Sequence, residues 1–93
     1  MNKREFIDFY NTLENIIHNL LVIEGNLTNI LKYVEHKRIK ESIKGKLRSI
    51  GKMRDSFRNT RDLYIKKYPE YHEAWKISAF GNINDLTNLY KLN

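Results

Sequence analysis

Apolar residues recur in steps of four and three from Phe6 to Val34: Phe6, Tyr10, Leu13, Ile17, Leu20, Leu27, Leu31 and Val34, with only Glu24 breaking the row. That spacing keeps one face of a helix oily for about thirty residues. A second row, Phe9, Ile16, Ile23 and Ile30, repeats every seven. At 100° per residue the two rows fill an arc of roughly 160°, wide enough to touch two neighbours. Gly25 and Asn26 are the residues at which such a helix could stop, but the apolar phase runs through them unbroken. A continuous or merely kinked helix is therefore expected.

The phase slips after Val34 across the polar "EHKR", which marks a connection. A second helix then carries Ile39, Ile43, Leu47, Ile50, Met53, Phe57, Tyr64 and Tyr68 on a narrower stripe. It ends at "KKYP", because Pro69 cannot continue a helix but can begin one. Two short helices are expected beyond it, "PEYHEAWKISAF" and "INDLTNLYKL", parted by Gly81, the latter capped by Asn82 or Asn84. Trp75, Phe80, Leu86, Leu89 and Tyr90 would close the open face of the hairpin. No alternation of the strand kind occurs. The expected fold is all-α: an antiparallel bundle of three to four helices built on a long helical hairpin, residues 1–93 forming one domain.

A hairpin turning near His36 would pair residues whose numbers add to about 71. Leu13 then meets Phe57, Leu20 meets Ile50, and Glu24 lies beside Lys46 and Leu47. An ion pair there would explain a carboxylate on the seam.

Length and composition sharpen this. A chain of 93 residues buries only about 60 to 65% of its unfolded surface, enough for one core. The absence of cysteine removes disulfides, thiolate metal sites and a cysteine nucleophile. Glu5, Asp8 and Glu14 interrupt the N-terminus where a secretion signal needs an apolar core, and the longest apolar run is Leu20 to Ile23. A cytoplasmic protein is expected, with no contact with membrane. Asparagine, lysine and isoleucine each occur eleven times against two alanines. That bias fits an AT-rich bacterial genome, or one of its phages or plasmids.

Charge is unevenly placed. The formal +6 divides into −1 for residues 1–34, +8 for 35–67 and −1 for 68–93. On a helical wheel most cations of the second helix, among them Lys37, Lys40, Lys44, Arg48, Lys52 and Arg58, fall on the half opposite the apolar stripe. Codon bias would spread lysine evenly, and five of seventeen basic residues lie outside this helix. The expectation is a small non-catalytic binding protein, a regulator or inhibitor. It would dock the basic helix, residues 37–67, on a host macromolecule, first of all an acidic protein surface. The alternative is sequence-independent binding of RNA or DNA, which needs only positive charge at the right density. No glycine turn with a recognition helix and no stacking aromatics on the basic face speak for base reading.

Other groupings are weaker. Arg54 and Arg61, one heptad apart with Tyr10 opposite, could line a pocket for an anionic small molecule or nucleotide, as in a helical enzyme. Tyr68, Tyr71 and Trp75 sit in the densest aromatic patch, which is either core filling or a binding hot spot. Glu14 and His18 have helical metal-ligand spacing but read as a surface pair, so neither metal nor cofactor is expected. Three slender helices do not cover the wide arc of the first helix, which suggests a homo-oligomer through that face.

Overall fold

A computed structural model describes residues 1–78. Helix α1 spans Lys3–Leu31 and α2 spans Lys37–Lys67. A third helix, α3, begins at Pro69 and is described to residue 78. The described residues contain no strand. The expected second tail helix, with Phe80, Gly81, Asn82, Asn84, Leu86, Leu89 and Tyr90, lies outside them.

Each boundary has a local cause. Asn2 starts α1 with a capping box: its side chain accepts from the Glu5 amide at 2.8 Å, and its own amide donates to Glu5 Oε1 at 3.2 Å. The helix passes through Gly25 without a positive φ, as the unbroken apolar phase requires. Pro69 disfavours helical backbone at the residue before it, and α2 ends as Tyr68 leaves the helical region (φ −130°, ψ 61°).

The core lies against α1. Of the buried apolar residues Phe6, Tyr10, Leu13, Ile17, Leu20 and Ile43, only Ile43 belongs to α2. The reason is position, because α1 receives α2 on one flank and α3 on the next. Phe6 packs on Tyr68 and Tyr71 (ring centroids 5.9 and 6.0 Å), and Tyr10 on His72 and Trp75 (5.3 and 4.4 Å). These contacts advance along both helices together, so the described part of α3 covers only the open end of the hairpin. Leu27, Leu31 and Val34, expected in the core row, are consequently half-buried, and Ile23 and Ile30 stay exposed.

The register differs from the symmetric turn. Phe9 meets Tyr64, Glu14 meets Arg61 and Glu24 meets Arg54, pairs whose numbers add to 73, 75 and 78 instead of 71. The connection 32–36 carries the chain past the last turn of α1 before α2 starts, with His36 extended (φ −70°, ψ 119°). Helical side chains also lean toward their own N-terminus, so the long arginines of α2 reach back toward the turn. Glu24 therefore finds Arg54, not Lys46 or Leu47.

Candidate functional site: the basic face of helix α2

The two arginines nearest the apolar stripe are neutralised across the seam. Arg54 Nη1 donates to both carboxylate oxygens of Glu24, at 2.6 Å to Oε1, and Arg54 Nη2 reaches Asp55 at 3.3 Å. Arg61 Nη1 donates to Glu14 Oε1 at 2.8 Å, which takes Glu14 away from the expected pairing with His18. Both side chains are about four-fifths withdrawn from water or nearly so, with 21 and 25% of their surface exposed. The carboxylates hold each guanidinium above its usual pKa despite the opposing effect of burial. Tyr10 does lie in the field of Arg61, and burial followed by Glu14 pushes its phenol up. The candidate anion pocket of Tyr10, Arg54 and Arg61 is thus filled by the chain's own carboxylates, which cancel the charge an anionic ligand would seek.

A seam pair of this kind is fragile when halved, since removal of one partner strands the other charge among apolar neighbours. Glu24→Leu is expected to lower the melting temperature by several degrees. Glu24→Leu combined with Arg54→Leu should recover most of that loss, and thermal unfolding of the four members of the cycle measures the coupling.

Cations on the outer half behave differently. Lys37, Lys40, Arg48, Lys52 and Arg58 have no carboxylate within 4.0 Å among the described residues, and Lys44 has only the exposed Glu41 at 3.6 Å. Lys40, Lys44, Arg48 and Lys52 follow one another by four residues, a cation about every 6 Å along the axis. The start of α2 adds to this field. The positive end of a helix favours acidic residues, yet its first turn contains no acid and bears Lys37, Arg38 and Lys40, while His36 makes no side-chain cap. That arrangement opposes folding locally.

Leu63 was not singled out by periodicity, because it falls off the apolar stripe. The structure leaves it 66% exposed, on the same half of the wheel as Lys52 and Lys66. Its wheel position, opposite the apolar stripe, is the signal that would have found it.

The aromatic patch packs on α1. Tyr68, Tyr71 and Trp75 are all partly buried, the two tyrosines stack at 5.4 Å, and Trp75 Nε1 donates to Asn11 Oδ1 at 2.7 Å. Their ring faces are spent on α1 and on one another. A shallow cleft of about 320 Å³ is lined by Lys67, Tyr68, Pro69, Glu70 and Tyr71, five consecutive residues, so it is the groove of the elbow and not a cavity between elements.

His72 makes this junction sensitive to acid. Burial lowers its pKa below the ordinary 6.5, and Lys76 and Arg61 act in the same direction, against Glu73 and Glu14. The unfolded chain therefore takes up a proton near pH 6.5 while the folded chain resists it. Above about pH 7.5 the group contributes nothing; below 6.5 stability falls until the folded imidazole is itself protonated. Melts followed by fluorescence of Trp75, the single tryptophan, should show a lower midpoint at pH 5.5 than at 7.5. His72→Gln should reduce that difference.

Among the described residues, no three histidine, aspartate or glutamate side chains gather as a metal site would require, and no helix is long and apolar enough to cross a membrane. Compared with models of protein families, with curated proteins and with solved structures, the chain matches none, so its reading rests on the geometry of α2.

Proposed function

We propose that this chain is a non-catalytic binding protein that acts stoichiometrically, as a regulator or inhibitor, by laying the outer face of α2 on an acidic surface of a protein partner. The observation that carries the reading is the division of cations on one helix. Arg54 and Arg61, on the seam, are matched by carboxylates of α1, whereas Lys37, Lys40, Arg48, Lys52 and Arg58 are left unmatched. Such a row speeds encounter with an acidic surface, and an apolar anchor then sets the residence time. Leu63 supplies that anchor. A phosphate backbone has no use for it, which favours protein over nucleic acid.

The second reading, sequence-independent binding of RNA or DNA, is supported by the even spacing of Lys40, Lys44, Arg48 and Lys52. The two part company in salt. Binding to duplex DNA loses about 0.9 power of affinity per phosphate neutralised for each tenfold rise in salt. A protein complex anchored by Leu63 should fall less steeply and should survive nuclease. Titration of the purified chain against duplex and single-stranded probes, and against the nuclease-treated partner, at low and physiological salt tests both. High affinity for nucleic acid at physiological salt, with no nuclease-resistant complex, would replace the first reading by the second.

A further inference from the structure

Helix α2 repeats a tetrapeptide. Gly45, Lys46, Leu47 and Arg48 are followed six residues on by Gly51, Lys52, Met53 and Arg54, the same order of glycine, lysine, aliphatic residue and arginine. In both copies the arginine leans back over its glycine, as helical side chains lean toward the N-terminus. Arg48 Nη2 lies 3.8 Å from where a Cβ on Gly45 would stand, and Arg54 Nη2 lies 4.0 Å from the same point on Gly51. Six residues turn a helix by about 600°, so the two arginines point about 120° apart. Arg54 faces α1 and holds both carboxylate oxygens of Glu24. Arg48 is exposed on the outer half, with no carboxylate within 4.0 Å among the described residues. The acids a heptad before and after it, Glu41 and Asp55, are engaged by Lys44 and Arg54 instead.

The described fold has no need of either glycine. Neither has a positive φ, and among the described residues an added methyl group would meet only the arginine, at an ordinary contact distance. Glycine inside a helix is nonetheless less stable than alanine. What the pair provides is relief. Standing three residues before and three after Arg48, the glycines leave low backbone in the grooves on both sides of the ridge Lys44, Arg48 and Lys52. Ridges of four-residue steps seated in such grooves are how two helices cross at about 50°. Charge selects the occupant, since this ridge carries three cations and no acid.

We propose, on the reading that α2 binds an acidic protein, that the partner lays a helix across this ridge and gives a carboxylate to Arg48, as α1 gives Glu24 to Arg54. Arg48 is then the residue that sets specificity, while Lys44 and Lys52 supply the surrounding field. A guanidinium offers five N–H donors in a fixed fork and so holds a carboxylate in one geometry, whereas an ammonium acts as a point charge.

Nuclear magnetic resonance of the isotope-labelled chain tests this at any affinity. The probe is a capped alanine-based peptide of about 20 residues, long enough to be helical, with glutamate at three positions four apart. The Arg48 Nε–H signal and the Gly45 amide should shift saturably as it is added. Replacing the glutamates by glutamine, or inserting two central prolines that abolish the helix, should raise the dissociation constant at least about tenfold. Arg48→Lys, which keeps the charge and loses the fork, should do the same. So should Gly45→Leu, which fills the relief with a good helix former and leaves the melting midpoint within a few degrees. Lys66→Gln, about 27 Å further along the axis, should change binding less than about twofold. If Arg48→Lys binds as tightly as the original chain, or the proline peptide as tightly as the helical one, the proposal falls while the acidic-partner reading stands. If no signal of α2 moves with the glutamate peptide, both fall. A duplex DNA probe that shifts Arg48 at a lower concentration than the peptide, in the same salt, overturns the proposal in favour of nucleic acid.

Discussion

Phe6→Ala is expected to remove about 3 to 5 kcal/mol of stability, the ordinary cost of emptying a buried aromatic site. Phe6 is fully buried, and its ring lies within 6.0 Å of those of Tyr10, Tyr68 and Tyr71. It touches both the elbow at Tyr68 and α3 at Tyr71, so its loss opens a cavity at the junction of the helices. A chain of this size has only about 5 to 14 kcal/mol in total. The melting midpoint should fall by roughly 15 to 30 °C at the usual conversion for small domains. Tyr33→Ala, at a side chain 77% exposed, should shift it by only a degree or two. Circular dichroism melts of the pair decide the matter. A small shift for Phe6→Ala would mean that the α1–α3 contact contributes little to the folded state.

The second large effect concerns binding and should spare the fold. Replacing Lys44, Arg48 and Lys52 together by glutamate changes the charge of α2 from +9 to +3 and reverses its sign along three successive turns. All three side chains are exposed, and none pairs across the seam. The melting midpoint should hold to within a few degrees. Affinity for an acidic partner should drop by at least about 100-fold, since each new like-charge contact repels where the original attracted. Most of the early loss should lie in the association rate and should shrink as salt is added. Leu63→Ala should instead act on dissociation, with little dependence on salt. Unchanged binding by the triple variant would remove α2 from the site.

The arginines show where sequence alone runs out. Arg54 and Arg61 have the same residue type and similar wheel positions as cations at a pocket mouth, and a sequence contains no distance to tell a filled site from an open one. The carboxylates that engage them lie 30 and 47 residues away in the chain. Which acid reaches which arginine depends on a slide of about one turn between the helices, set by the extended connection at His36. Tyr68, Tyr71 and Trp75 pose the same problem, because aromatic density is equal in a core and at a contact. Only the placement of α3 against Phe6 and Tyr10 assigns them to packing.

Local periodicity by itself determined that α1 passes through Gly25, that a connection follows Val34, that Pro69 opens a new helix and that most cations of α2 face away from its apolar stripe. Those properties depend on residues three, four and seven apart, which a helix brings together whatever surrounds it. Tertiary structure decided the register of the hairpin, the pairing of Glu14 and Glu24, the burial of the aromatic junction and the exposure of Ile23, Ile30 and Leu63. Each of these is a contact, or a missing contact, between elements far apart in the chain, and its energy depends on how two rigid helices slide and tilt against each other.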